Sequence, residues 1–189
     1  MAANEPLAIT RLQPHLGTLV SINVHHPERA AANRAINAAF AEFRAVDKLL
    51  SIHRPDSDLV ALNKAAGQKP FQASPELFTC LQFALKVAEQ SGGAFDPTIR
   101  PLADLWGFIK KEGYRLPTAT ERAAVLPQIG WRKVALDPSQ HLVRFNAPGV
   151  SLDPGGFGKG YAVDRALSRL KNLGIKIALV KAGGDLRVL

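Results

Sequence analysis

A glycine-rich turn at residues 152–164 carries the side chains with the clearest chemical potential. Asp153 follows an apolar run, and Lys159 stands among glycines at the start of an amphipathic segment. A strand, a tight turn and a helix N-terminus in this order direct backbone N–H groups toward a phosphate, whose charge a lysine offsets. The turn is neither a Walker A loop nor a dinucleotide-binding GxGxxG motif. By pattern alone, a strand-to-helix turn with a solvated lysine explains it equally well.

A second segment, residues 91–98, places two glycines before Ala94, Phe95 and Asp96. The glycines allow the backbone to approach a ligand closely, Phe95 offers a flat face and Asp96 offers an acceptor. Taken alone, the segment is better explained as a helix end followed by a core phenylalanine. Trp106 is likewise interpreted as a core side chain.

Two further segments contain polar groups in loops. His53 could stack on an aromatic ring or titrate near neutral pH, although a lone loop histidine is more often simply exposed. The Gly183-Gly184-Asp185 turn permits close backbone packing, and structural and functional explanations are equally plausible for it. No Ser-His-Asp or Cys-His arrangement is credible, and His25 and His26 have no metal-ligand spacing to another histidine or cysteine.

The elements that position these residues alternate between helices and short strands. Apolar residues three and four apart predict a long helix, and Ser-Pro, Ser-Asp and Thr signals predict the starts of others. The predicted helices cover 28–50, 57–63, 74–91, 118–126 and 158–173, and the predicted strands cover 16–24, 134–136, 142–145, 150–152, 177–180 and 186–189. Residues 97–107 are expected to be short, kinked and partly helical. The prediction is an α+β fold with mixed sheets and packed helices, formed as one domain over residues 1–189.

Composition limits the classes of partner. The chain has 189 residues, a net charge of +8 and a pI near 9.9, which favours an anionic partner. Its basic residues are scattered rather than interleaved with aromatics, so we expect a small phosphate compound and no nucleic acid. No apolar stretch approaches the roughly 20 residues of a membrane span, and the lone Cys80 excludes an internal disulfide.

Localisation stays open at this level. The start of the chain has neither the pattern of a signal peptide nor a cysteine for lipid attachment. For the sequence as it stands, we therefore expect a cytoplasmic protein. The same chain after removal of a leader would be periplasmic.

The order and spacing of these segments resemble the ApbE family of FAD-dependent protein FMN transferases. The similarity extends from Leu16-Gly17-Thr18 through the loop at 51–63 and residues 91–108 to the glycine turn and Gly183-Gly184-Asp185. The resemblance implies an ApbE (T-fold-like) architecture that binds FAD. It also implies a Mg²⁺-dependent reaction that moves the FMN half of FAD onto a Thr or Ser hydroxyl of an acceptor protein and releases AMP.

The resemblance also assigns roles residue by residue. Residues at FAD-contacting positions of the family are Leu16 (usually methionine), His53 (usually a stacking tyrosine), Ala94, Phe95, Asp96, Asp153 and Lys159. Gly156 stands where a backbone carbonyl usually contributes to the magnesium site. Pro154 replaces the usual leucine, and Arg100 adds a positive charge where the family is small or apolar.

The C-terminal part of the family has no counterpart in this sequence. That part supplies a histidine near the reacting groups and the Asp and Thr side chains that complete the magnesium site, so catalytic residues are expected beyond Leu189. A strand at 186–189 without a following partner also suggests a cut chain and a sheet edge available for a homodimer. Two alternatives therefore stand beside the transferase: an FAD pyrophosphatase, in which water replaces the hydroxyl, and an FAD-binding fragment without catalysis.

Overall fold

A computed structural model describes residues 6–109 and 113–189 of the chain. In chain order the elements are β1 (Leu7–His15), β2 (Thr18–His26), α1 (Arg29–Leu50), α2 (Asp58–Ala65), β3 (Phe71–Gln72), α3 (Pro75–Gln90), α4 (Arg100–Leu105), α5 (Ala119–Val125), β4 (Val134–Asp137), β5 (Leu142–Phe145), α6 (Gly158–Asn172), β6 (Ile177–Ala182) and β7 (Asp185–Val188). They form two compact units, one of Met1–Ser51 with Phe157–Leu189 and one of Ile52–Gly156. We call these unit 1 and unit 2. The α+β class is confirmed, whereas a single domain over 1–189 stays a prediction.

Unit 1 is a four-stranded antiparallel sheet with two helices. The strand order is β1-β2-β6-β7, and Ile22 of β2 lies opposite Val180 of β6. Helices α1 and α6 pack on each other and on the sheet. The apolar stripe that predicted α1 is its buried face: Phe40 and Phe43 are fully buried. This periodicity was visible in the sequence because a helix repeats every 3.6 residues.

The structure corrects the sequence prediction at the first hairpin. The strand predicted to begin at Leu16 begins at Thr18, and Leu16 and Gly17 form a two-residue turn. The strand before that turn, β1, was not predicted. It lies at the sheet edge, alternates only between exposed and half-buried residues and contains Pro14. An edge strand lacks the strong apolar alternation of a central one and tolerates proline, so its sequence signal is weak.

The described residues of unit 2 form four α-helices and a small antiparallel sheet of order β3-β5-β4. Its helix starts confirm the capping signals in the sequence. The Ser57 hydroxyl accepts a hydrogen bond from the Val60 N–H, and the Ser74 hydroxyl accepts one from the Leu77 N–H. Thr118 forms a reciprocal capping box with the third helical residue of α5. Each cap satisfies an N–H group that the helix itself leaves without a partner.

The strand predicted at 150–152 is absent, because the backbone of this segment bonds to other partners. The Asn63 side-chain amide donates to the Leu152 carbonyl oxygen (3.0 Å), and its oxygen accepts from the Leu152 N–H (2.9 Å). The Asp153 N–H donates to the Pro97 carbonyl oxygen (2.8 Å). Val150 and Leu152 are buried as in a strand. The segment therefore has the sequence pattern of a strand, because alternate residues are buried, but the Asn63 side chain takes the place of a neighbouring strand at Leu152.

Trp106 is also placed differently from the prediction. It is half-buried rather than in the core, and its ring stacks on Phe108 at a centroid distance of 6.1 Å. No residue of α4 is buried, so this segment lies on the surface of unit 2. Within the described ranges, no helix is long and apolar enough to cross a bilayer.

Candidate functional site

The residues that the resemblance assigns to FAD and magnesium are divided between the two units. Unit 1 contains Leu16 and Lys159, and unit 2 contains His53, Ala94, Phe95, Asp96, Asp153 and Gly156. The unit boundary falls between Gly156 and Phe157, inside the glycine turn.

Asp96 is the centre of a hydrogen-bond cluster in unit 2. Its Oδ1 accepts from the Thr98 N–H (2.8 Å) and the Thr98 hydroxyl (2.6 Å), and its Oδ2 accepts from the Trp131 N–H (2.9 Å). The Thr98 hydroxyl, which is fully buried, accepts in turn from the Gly130 N–H (2.8 Å). Both carboxylate oxygens are thus engaged in joining the loop at 94–98 to the segment at 130–131. The geometry supports a loop-shaping role for Asp96, while its contact with FAD stays a prediction.

Asp153 also forms hydrogen bonds that stabilise its own loop. Its Oδ1 accepts from the Gly155 N–H (2.7 Å), a local turn in which a short side chain replaces a backbone acceptor. Because its N–H is bonded to Pro97, Asp153 is held from both sides within unit 2. The carboxylate is half-buried at the start of the glycine turn.

Phe95 and Gly156 meet closely in the same unit. A Cβ atom built on Gly156 would lie 2.8 Å from Cε2 of the Phe95 ring, a distance that real Cβ atoms essentially never show. The absence of a side chain at 156 therefore allows the aromatic ring to lie against the turn. This contact brings together two residues that the sequence placed in separate segments.

Gly156→Ala is expected to destabilise the protein by about 1–2 kcal/mol, because the added methyl group displaces the Phe95 ring. Phe95→Leu in the same chain should recover part of the loss, giving a coupling free energy of about 1 kcal/mol in a double-mutant cycle. Urea unfolding of the four proteins measures both quantities. Gly67→Ala is the matched control, since nothing lies within 4 Å of a Cβ at that glycine of unit 2. A coupling free energy of zero would contradict the contact.

His53 and Ala94 are exposed in loops of unit 2. His53 lies in the loop before α2, next to an exposed ion pair between Arg54 and Asp56 (3.0 Å). Arg100, which the sequence suggested as an added positive charge, donates to Asp104 through its Nε (2.7 Å). Its charge is therefore offset within α4.

In unit 1, Lys159 lies in the first turn of α6. The residue before the helix, Phe157, provides no side-chain cap, and the first turn has no acidic side chain. The Lys159 amine lies 3.9 Å from Asp185 and is about one-third exposed. The positive end of the helix dipole and this ammonium group together favour an anion at the start of α6. Asp164, interpreted as structural, pairs with Arg187 at 2.7 Å.

Sequence reasoning missed three residues that hold the loops of unit 2 in place. Asn63 bonds through its side chain to the backbone of Leu152, and Trp131 donates its own backbone N–H to the Asp96 side chain. Neither residue gave a signal, because each partner is far away in the chain. Thr98 had a weak signal, since it stands two residues after an aspartate, the spacing of a local Asp–Thr turn. Among residues 6–109 and 113–189, no group of three or more His, Cys, Asp or Glu side chains could hold a metal ion.

These features define an α+β protein with two antiparallel sheets and a glycine turn that leads into a lysine-bearing helix start. The chain belongs to the ApbE family, whose sequence model matches residues 16–189. The ApbE protein of Thermotoga maritima shares the fold with a TM-score of 0.87 and 30% identity, over 96% of this chain and 59% of that one. The apo flavinyl transferase ApbE of Pseudomonas stutzeri has a TM-score of 0.88 and 26% identity, over 100% of this chain and 62% of that one.

Curated relatives carry the name FAD:protein FMN transferase. The Treponema pallidum protein is 31% identical over 94% of this chain and 50% of its own length. The Rhodobacter capsulatus protein is 34% identical over 92% of this chain and 33% of its own length. The chain therefore spans half or less of the length of these two relatives.

Proposed function

We propose that this chain is the FAD-binding part of an FAD:protein FMN transferase. The observation that carries the proposal is the start of α6, where the Lys159 ammonium group lies at the positive end of the helix dipole, in a first turn that has no acidic side chain. The family match and the names of the relatives support FAD as the phosphate compound. In the proposed reaction a Thr or Ser hydroxyl oxygen of an acceptor protein attacks the phosphorus of the FMN half. The new P–O bond replaces the bond to AMP, which leaves, and the hydroxyl proton passes to a base.

Lys159 has a defined task in this reaction. Negative charge is spread over the phosphoryl oxygens during transfer, and catalysis depends on positioning and on offsetting that charge. An ammonium group at a helix N-terminus does both, because it fixes one phosphate and lowers the energy of the charge near it. Asp185 is an acidic neighbour of this ammonium group within unit 1, at 3.9 Å.

Among the described residues, no group of three or more His, Cys, Asp or Glu side chains could hold a metal ion. The Gly156 carbonyl oxygen is the ligand that the resemblance assigns to this chain, and no cluster of carboxylates or histidines accompanies it in the described ranges. Mg²⁺ prefers six oxygen ligands and shares them with substrate phosphates and water. Mg²⁺ dependence is therefore part of the proposal.

A second candidate function is binding of FAD without turnover. The observation that favours it is this same lack of a metal-binding cluster in the described residues. The transferase is expected to release AMP and label an acceptor, whereas binding alone leaves FAD intact, so one experiment distinguishes the two functions.

The test incubates the purified chain with FAD, with and without a threonine-bearing acceptor peptide, in Mg²⁺ or in EDTA. Peptide plus FMN by mass spectrometry, with AMP by chromatography, would support the transferase. FMN and AMP without peptide labelling would indicate a pyrophosphatase, and bound FAD without products would indicate a binding fragment. Absence of FAD binding would overturn the proposal.

Lys159→Gln is expected to weaken FAD binding by about tenfold, the effect of losing one charge-assisted phosphate contact of about 1.4 kcal/mol. Flavin fluorescence titration measures the dissociation constant. Lys171→Gln, at an exposed position in the last turn of the same helix, is the matched control and should stay within about twofold. Equal losses in the two variants would mean that Lys159 acts only through net charge.

A further inference from the structure

The turn that carries Leu16 has an unusual backbone. Leu16 has a φ of 52° and Gly17 a φ of 69°, and together they join two nine-residue strands. Two-residue turns with positive φ at both positions suit hairpins, but asparagine, aspartate or glycine usually occupies them. A leucine there costs about 1 kcal/mol or more, so the surrounding structure must hold it in place.

His15, the residue immediately before the turn, is anchored on α1. Its ring centroid lies 5.7 Å from that of Phe40 and 5.9 Å from that of Phe43, and the second pair is stacked. Its Nε2 lies 3.0 Å from Oε1 of Gln13. An amide oxygen only accepts, so Nε2 carries the proton of the neutral ring. Both phenylalanines are fully buried, which makes them a rigid support for the histidine.

Charged groups around His15 favour the neutral ring. Partial burial is the main cause that lowers the pKa of His15 below its usual 6.5, Arg44 on α1 lowers it further, and Asp47 on α1 opposes them. Arg11, on the same strand, lies over the Phe40 ring at 5.9 Å and donates to Asn37. An open cavity of about 440 Å³ at the turn is lined by residues 14–19 and Asp47, so the turn is accessible from solvent.

We propose that His15 is a positioning residue for flavin binding: its neutral ring, seated on Phe40 and Phe43, holds the Leu16–Gly17 turn in the conformation that presents Leu16 to FAD. This inference rests on the proposed function and on the FAD contact that the family resemblance implies for Leu16. Protonation places a cation in a half-buried aromatic site near Arg44, which weakens the anchor and releases the strained turn. Because burial and Arg44 lower the pKa of His15, its ring stays neutral at pH 6.5, and FAD affinity falls as the pH falls through this lowered pKa of the folded protein.

The test measures the FAD dissociation constant of the whole chain at several pH values. Wild type is expected to bind about tenfold more weakly at about pH 5 than at about pH 8, whereas His15→Phe, which keeps the ring contact and cannot protonate, changes by less than about twofold. His15→Ala removes the ring contact and should bind weakly at every pH. His25→Phe, on the same sheet near the far end of the hairpin, is the control and should keep the wild-type profile.

A second measurement needs no FAD. Thr18 pairs with His15 in the last rung of the hairpin before the turn. Its amide should lose hydrogen-exchange protection at acid pH in wild type and in His25→Phe, but keep it in His15→Phe. Thermal unfolding without ligand shows that each variant is folded.

The outcomes separate the two proposals. FAD binding by wild type that is independent of pH, or a fall in His15→Phe equal to that of wild type, would overturn the role of His15. Unchanged protection of Thr18 in wild type across the same pH range would overturn it as well. Failure of wild type to bind FAD at about pH 8 would overturn the proposed function, and with it the presentation of Leu16 to the flavin.

Discussion

Replacing Asp96 with alanine is expected to lower the free energy of unfolding by about 3 kcal/mol, because three hydrogen bonds to one carboxylate disappear together. Two of the donors belong to Thr98, whose side chain is fully buried, and the third is the Trp131 N–H. A buried donor without an acceptor retains the full cost of its lost hydration. Urea unfolding followed by circular dichroism measures the change.

Two variants make this experiment specific. Asp96→Asn keeps one acceptor oxygen and presents an NH₂ group to a donor, so we expect an intermediate loss of about 1–2 kcal/mol. Asp104→Ala removes the half-exposed partner of Arg100 and should cost no more than about 0.5 kcal/mol. If Asp96→Ala unfolded like wild type but no longer bound FAD, the carboxylate would be a ligand contact and not the support of its loop.

Asn63→Ala is expected to cost about 2 kcal/mol, since it leaves the backbone N–H and C=O of the buried Leu152 without their partners. Asp153 follows Leu152 directly, so weaker FAD binding should accompany the loss of stability. Chemical unfolding and flavin fluorescence titration measure the two effects.

Asn37→Ala is the control for this variant, because Asn37 is an exposed helical asparagine that accepts one hydrogen bond from Arg11. Its free energy of unfolding should change by no more than about 0.5 kcal/mol. A loss of stability in Asn63→Ala as small as that of the control would mean that water replaces the amide at Leu152.

The helices were predictable because their signals are local. The buried stripe of α1 repeats along its own sequence, and the caps at Ser57, Ser74 and Thr118 bond to groups three residues away. The end of α6 at Gly174, which has a φ of 81°, follows from the backbone freedom of a single glycine. Because these interactions join residues that are close in the chain, the sequence pattern alone predicts them.

Local sequence signals were thus enough to predict the α+β class and most helix boundaries, and the family resemblance supplied the residues that we expect to meet FAD. Long-range contacts in the folded chain establish β1, the bonds between Asn63 and Leu152 and the bond between Asp96 and Trp131. Asn63 and Leu152 are 89 residues apart, and Asp96 and Trp131 are 35 apart. Hydrogen bonds between residues so far apart leave no periodic pattern and no fixed spacing in the sequence, because only folding brings the two groups together.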